Sequence, residues 1–255
     1  DGLCEIQAQL GEAGLCKVCH EFPRLRHEYG DFMELGLELS CPEAARLILN
    51  SQPREPIVTD MTGGDAPEYD REAMDVLLRT RKTALELLLK GSVPEALALL
   101  LLYGYRAQEE LDGAEAVDYD PAGDLALARQ VAQGGDGALL REFYLGLEIL
   151  TPRWKKRLQE PEVAGTWTEQ LRAMARYGVE RYWLQAVSDY DLVCRVKMIV
   201  AGCLLVQHLG GDVVDTAHLY SKEIENSADN VEALLDGAYT APALTDVYLL
   251  GLLMC

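Results

Sequence analysis

The sequence is short of phenylalanine, with three in 255 residues, and short of cationic residues, with 23 Lys and Arg against 42 Asp and Glu. The resulting net charge of −19 repels phosphate backbones, so a nucleic-acid partner is not expected. No apolar run reaches 18 residues. The longest candidates, Ala96 to Tyr103 and Met198 to Val206, are too short to span a bilayer, so no membrane partner is expected either. A basic stretch followed by an apolar one, as in a signal peptide, is absent at the start. Several catalytic signatures are missing too. There is no His-Glu-x-x-His pair, no Gly-x-Ser-x-Gly elbow, no phosphate loop ending in Gly-Lys-Ser/Thr and no Gly-x-Gly-x-x-Gly. The glycine-rich runs at Thr62-Gly63-Gly64-Asp65 and Gly134-Gly135-Asp136-Gly137 follow no convincing strand and read as turns.

What is present is helix-forming. Leu and Ala are abundant, and 49% of the chain is hydrophobic, enough for a sizeable core. Helices are expected near 68–90, 94–111, 122–133, 136–150, 165–187, 189–209, 212–225 and 228–238. The breaks fall at Gly91, Asp112-Gly113, Gly134-Gly135, Gly210-Gly211 and Asn226-Ser227. The fold class predicted is mainly α: a multi-helix antiparallel array over 68–255, preceded by a small cysteine-rich segment, 1–50, with a short β-hairpin. In that segment Met33, Leu35, Leu37 and Leu39 alternate with Glu34, Gly36 and Glu38, the pattern of a half-buried strand. Tyr29-Gly30-Asp31 supplies a turn to a partner strand at 24–28. A helix following Ser40-Cys41-Pro42-Glu43 is expected to bury Ala44, Ala45, Leu47 and Ile48.

Of seven cysteines, Cys4, Cys16, Cys19 and Cys41 lie in the first 41 residues. An even spread would place about one there. The Cys16-x2-Cys19 spacing lets two thiolates reach one metal from a single turn, and Cys41 sits before a helix start, where the dipole favours a thiolate. These four are therefore the candidate ligands of zinc or an iron–sulfur cluster, which the spacing does not separate. An odd count without dense pairing fits a reducing compartment. Cys194 and Cys203, within an apolar helix, are expected to be inert core. His20 could join the metal site, whereas His27, His208 and His218 read as ordinary hydrogen-bonding residues.

Three stretches carry a resemblance. They are Leu15-Cys16-Lys17-Val18-Cys19-His20-Glu21-Phe22-Pro23-Arg24, then Glu34-Leu35-Gly36-Leu37-Glu38-Leu39-Ser40-Cys41-Pro42-Glu43-Ala44-Ala45-Arg46-Leu47, and late in the chain Leu219-Tyr220-Ser221-Lys222-Glu223-Ile224-Glu225-Asn226-Ser227 with Asn230. Together with Leu147-Glu148-Ile149-Leu150 and Arg153-Trp154 they resemble the flagellin lysine-N-methylase family, in the same order. The resemblance implies a cytoplasmic enzyme that moves methyl groups from S-adenosylmethionine to lysines of flagellin. It also implies a cysteine-held zinc or iron–sulfur centre, with Cys4, Cys19 and Cys41 where the family has its cysteines. The family's further cysteines would fall upstream of Asp1. Within the late signature, Tyr220 and Glu223 are candidate substrate contacts, the alternative being a capped helix end with a packed tyrosine. Against the enzyme stands a second class: a non-catalytic, metal-binding helical module that docks a basic protein.

Overall fold

The computed structural model describes residues 5–30, 32–53, 69–116, 118–160 and 165–254. Among these the chain is mainly α, with one two-stranded antiparallel hairpin near the N-terminus. The cysteine-rich segment holds α1 (Glu5–Leu10), α2 (Lys17–Glu21), β1 (Arg24–Tyr29), β2 (Phe32–Leu37) and α3 (Pro42–Leu49). The helical array follows with α4 (Arg71–Leu87), α5 (Val93–Leu111), α6 (Pro121–Val131), α7 (Ala138–Leu145), α8 (Pro152–Gln159), α9 (Glu169–Tyr182), α10 (Val193–Leu209), α11 (Val213–Tyr220), α12 (Ala228–Thr240) and α13 (Asp246–Met254). No helix among the described residues is long and apolar enough to cross a membrane.

Helix starts are written in polar side chains. The Asp70 carboxylate accepts from the backbone N–H of Glu72 at 2.9 Å and of Ala73 at 3.1 Å, opening α4. Ser92 and Glu95 form a reciprocal capping box at α5, next to Pro94, whose missing N–H costs nothing there. The Asp120, Thr151, Asp212 and Ser227 side chains each accept from a backbone N–H at the starts of α6, α8, α11 and α12. Each cap satisfies a backbone donor that a helix terminus otherwise leaves open.

The array is built around α10, every residue of which is buried. It packs against α5, α9, α11, α12 and α13. A helix enclosed on all sides shows no amphipathic stripe, and the run Met198 to Val206 reads accordingly. Cys194 and Cys203 are buried within it, as expected, and burial pushes the Cys194 thiol up to about 12.

Several expected boundaries move. The helix read over 165–187 is α9 followed by a 3₁₀ turn, Trp183–Val187. That turn brings the Trp183 indole N–H to the Thr80 hydroxyl of α4 at 3.1 Å. The helix read over 212–225 is α11 continued by a π-turn, Ser221–Glu225. Helices α8 and α13 were not anticipated.

The hairpin forms where the alternation placed it, but its buried face is the opposite one. Register pairs His27 with Glu34, Tyr29 with Phe32 and Arg26 with Leu35. The Tyr29 and Phe32 rings pack at 5.2 Å, and Arg81 of α4 reaches the Glu34 carboxylate at 2.7 Å. Glu34 is thus drawn toward the body, and period-two geometry turns Leu35 and Leu37 outward, 71% and 36% exposed. Leu39, past the strand end, is fully buried. In α3 the buried set is Ala44, Ala45 and Leu49, while Leu47 faces solvent.

Two members of one alternating run therefore differ sharply. Leu39→Ala is expected to destabilise the protein by about 2–5 kcal/mol in urea unfolding. Leu35→Ala, on the open face, is expected to stay within about 0.5 kcal/mol of wild type.

Candidate functional site

Two places in the molecule concentrate chemistry. The first is the cysteine segment. Cys16 stands at the N-terminal boundary of α2 and Cys19 lies one turn inside it, with Sγ atoms 3.4 Å apart and both residues exposed. The Cys16 thiol is held below its ordinary value by hydrogen bonds from the Cys19 backbone N–H and thiol. Two thiolates bound to one tetrahedral zinc at about 2.3 Å sit roughly 3.8 Å apart, so this pair fits two corners of such a site. Cys41 precedes α3 and is half-buried. Cys4 lies outside the described residues. Among the described residues, no group of three or more His, Cys, Asp or Glu side chains is gathered to hold a metal. His20 instead meets Glu12 at 3.2 Å.

The second place is an open cleft of about 350 Å³ between the hairpin, the end of α9, the π-turn and α12. Its lining joins His27, Arg181, Tyr182, Gln185, Glu225 and Glu232 to the aliphatic side chains of Ala228, Val231 and Leu235. Glu225 anchors it. The carboxylate is almost wholly buried, and its Oε2 accepts from the Tyr177 hydroxyl at 3.0 Å, from Arg181 at 3.3 Å and from the Ser221 hydroxyl. Oε1 accepts from the Tyr182 hydroxyl at 3.0 Å. The Arg181 guanidinium also lies over the rings of Tyr177 and Tyr182, 5.8 and 5.1 Å from their centroids.

Burial alone would discharge these groups, and their mutual attraction decides which stay charged. Burial opposes the charge on Arg181, but Glu225 and the two tyrosines outweigh it, so its affinity for a proton rises. Tyr177 and Tyr182 are pushed well up by burial and by the Glu225 charge, which keeps both hydroxyls protonated as donors. His27 is pulled below its ordinary value by burial and by Arg181, with Glu34 opposing. Its imidazole is neutral near pH 7, and among the described residues its buried Nε2 has no hydrogen-bond partner. Behind Glu225, a small cavity of about 20 Å³ lies among Tyr177, Tyr182, Tyr220, Gly178 and Gly202. A Cβ on Gly202 would meet the Tyr220 hydroxyl at 2.8 Å, so only glycine allows that ring its place.

Tyr220 and Glu223 sit elsewhere in this neighbourhood. Tyr220 is buried, edge-on to Tyr144 and Trp154. Glu223 is fully buried and accepts from Leu150 N–H at 2.9 Å, Thr151 N–H at 3.2 Å and the Thr151 hydroxyl, tying the π-turn to the start of α8. The carboxylate facing the cleft is Glu225, two residues on. A π-turn adds a residue to the repeat, and helical spacing read from sequence misses that offset. His27, Arg181, Tyr182 and Gln185 carried no motif. The late signature runs through this region, but the residues it singled out were Tyr220 and Glu223.

Over 50 residues, 20% of its length, the chain is 42% identical to the flagellar biosynthetic protein FliU of Salmonella muenchen. It matches the lysine-N-methylases of Salmonella typhimurium and Salmonella choleraesuis at the same identity over 50 residues. The matched stretch spans 30% of FliU and 12% of each lysine-N-methylase. No family model and no solved structure matches.

The depressed proton affinity of His27 has a stability consequence with a definite sign. Between its folded value and the ordinary 6.5, the unfolded chain holds more proton than the folded one, so stability falls as pH drops through that window. The urea midpoint of wild type should therefore fall further from pH 7.5 to pH 5 than that of His27→Gln. Glu223→Ala, which strands three donors, is expected to cost about 3–5 kcal/mol at pH 7 in the same assay.

Proposed function

We propose that this chain is part of a protein lysine N-methyltransferase that acts on flagellin with S-adenosylmethionine as methyl donor, in the cytoplasm. The observation that carries the reading is the 42% identity, over 50 residues, to proteins named lysine-N-methylase. The FliU match adds a flagellar context.

The chemistry asked of the chain is modest and specific. A lysine side chain arrives as an ammonium, which has no lone pair. It becomes a nucleophile only after losing a proton, and it must then lie in line with the sulfonium carbon of the donor. An acidic protein suits a cationic substrate, and the net charge of −19 draws lysine-rich surfaces toward it. Cys16 and Cys19, with Cys41 and Cys4 to complete the set, are the residues that would hold zinc or an iron–sulfur cluster. Such a centre supplies either a rigid structural node or one-electron chemistry, according to the metal.

The acidity favours one other reading, a metal-binding module that docks a basic protein without modifying it. Calorimetry with S-adenosylmethionine separates the two, because a docking module gives no heat.

Incubation of anaerobically purified full-length protein with methyl-labelled donor and flagellin should place label on lysine. Absence of label under those conditions would overturn the reading. The double variant Cys16→Ser, Cys19→Ser should lose at least half of the bound zinc or iron in elemental analysis, and label incorporation should fall with it.

A further inference from the structure

We infer that the cleft between the hairpin and α12 is a subsite for a lysine side chain, in which the Nε2 of His27 accepts the ammonium proton. This rests on the methyltransferase reading and names the groups that would serve it.

The lining has the two-part character an alkylammonium needs. Ala228, Val231 and Leu235 line one side of the cleft and can cover the methylene stem. Carboxylates stand for the charged end. Glu232 is exposed on α12, while Glu225 lies deeper and has uneven use of its oxygens. Oε2 already accepts three hydrogen bonds, but Oε1 accepts one, from Tyr182. Oε1 has two lone pairs and one hydrogen bond, so it is the less crowded acceptor of the two.

His27 supplies what the carboxylates do not. The Glu225 carboxylate is already engaged by Arg181, Tyr177, Ser221 and Tyr182. The imidazole is neutral and lines the same cleft, and among the described residues its buried Nε2 has no hydrogen-bond partner. The charged and titratable groups around it are Arg181 from α9, Glu34 paired to it across the hairpin, Arg81 of α4 on Glu34, Glu180 near that pair, and Glu225 and Glu232 across the cleft. Tyr29 stacks beside it with ring centroids 6.4 Å apart, and Tyr182 and Gln185 complete the wall.

The step balances without any further reactant. The lysine ammonium gives one proton to His27 Nε2, leaving a neutral amine and an imidazolium. The amine lone pair forms the N–CH3 bond as the C–S bond of the sulfonium breaks and its electron pair goes to sulfur, giving a neutral thioether and a methylated ammonium. The imidazolium returns its proton to water.

The test has two arms. In the first, the His27 ring resonance of wild type, assigned by elimination among the four histidines, is followed through a pH titration. The probes are a single-lysine flagellin peptide and the same peptide acetylated on that lysine. The lysine peptide should move the His27 midpoint and the acetylated peptide should not; equal or absent responses overturn the subsite. In the second arm, methyl transfer is measured against pH. His27→Gln should lower kcat about a hundredfold and abolish the acidic limb of the wild-type profile, whereas Glu232→Gln should raise KM several-fold with kcat kept. Turnover by His27→Gln with the wild-type pH profile overturns the role of His27 and leaves the methyltransferase reading standing. A wild type that transfers no methyl overturns that reading, and the resonance arm still decides the subsite.

Discussion

The ion pair between Arg181 and Glu225 is the constraint around which this part of the molecule is arranged. Both side chains are about nine-tenths buried, and a charge taken that far from water must be neutralised and hydrogen-bonded or it will not persist. The chain meets the demand from two directions. Helix α9 places Tyr177, Arg181 and Tyr182 within one and a half turns, so two hydroxyls and a guanidinium point the same way. The π-turn after α11 then swings Glu225 toward them while its neighbour Glu223 faces the loop before α8. Two carboxylates two residues apart thereby serve opposite purposes, one closing a structural joint and the other forming the floor of a cleft.

A comparable economy governs α10. Enclosing a whole helix forces its polar side chains to find partners inside. Arg195 reaches Asp189 at 2.7 Å, and Lys197 reaches the Ala238 carbonyl at 3.0 Å and Asp246 at 3.1 Å. Asp246 also accepts the Tyr105 hydroxyl at 2.7 Å. Since Asp246 opens α13, the buried lysine locates the last helix against α5 and α10. The apolar α13 has no stripe of its own to dictate its placement. The Lys197 and Tyr105 contacts to Asp246 fix its N-terminal end.

Those two arrangements explain what could be read in advance and what could not. Helix ends marked by Gly91, Asp112-Gly113 and Gly210 were legible because each break has a local cause, a left-handed glycine or a cap. The hairpin was legible from its period, yet its inward face was not. Alternation specifies that two faces exist; Arg81, distant in sequence, decides which is buried by capturing Glu34. Helix α13 escaped notice for the reason just given, and α8 because its basic run, Arg153 to Arg157, masks two buried anchors, Trp154 and Leu158. The cleft was the least accessible feature. Its polar groups come from positions 27, 181, 225 and 232, and only tertiary packing brings them together. The cysteine spacing, by contrast, was a local signal, and the pairing of Cys16 with Cys19 is local too.

The cysteine segment and the cleft are joined by the hairpin, and this connection gives the arrangement its logic. Arg24 at the start of β1 donates to the carbonyl of His20 at 3.0 Å, fastening α2 to the strand. The Glu38 N–H meets the Pro23 carbonyl at 2.9 Å and closes the base of the hairpin just before Cys41. Cysteines 19 and 41 therefore stand at the two feet of a short, hydrogen-bonded lever whose inner face carries His27 into the cleft. A strand pair transmits position better than a loop because its register leaves little freedom to slip. The cysteine side chains at the feet and the imidazole on the inner face thus belong to one hydrogen-bonded unit. The cysteine-rich segment adjoins the cleft through covalent adjacency and the backbone hydrogen bonds of the hairpin.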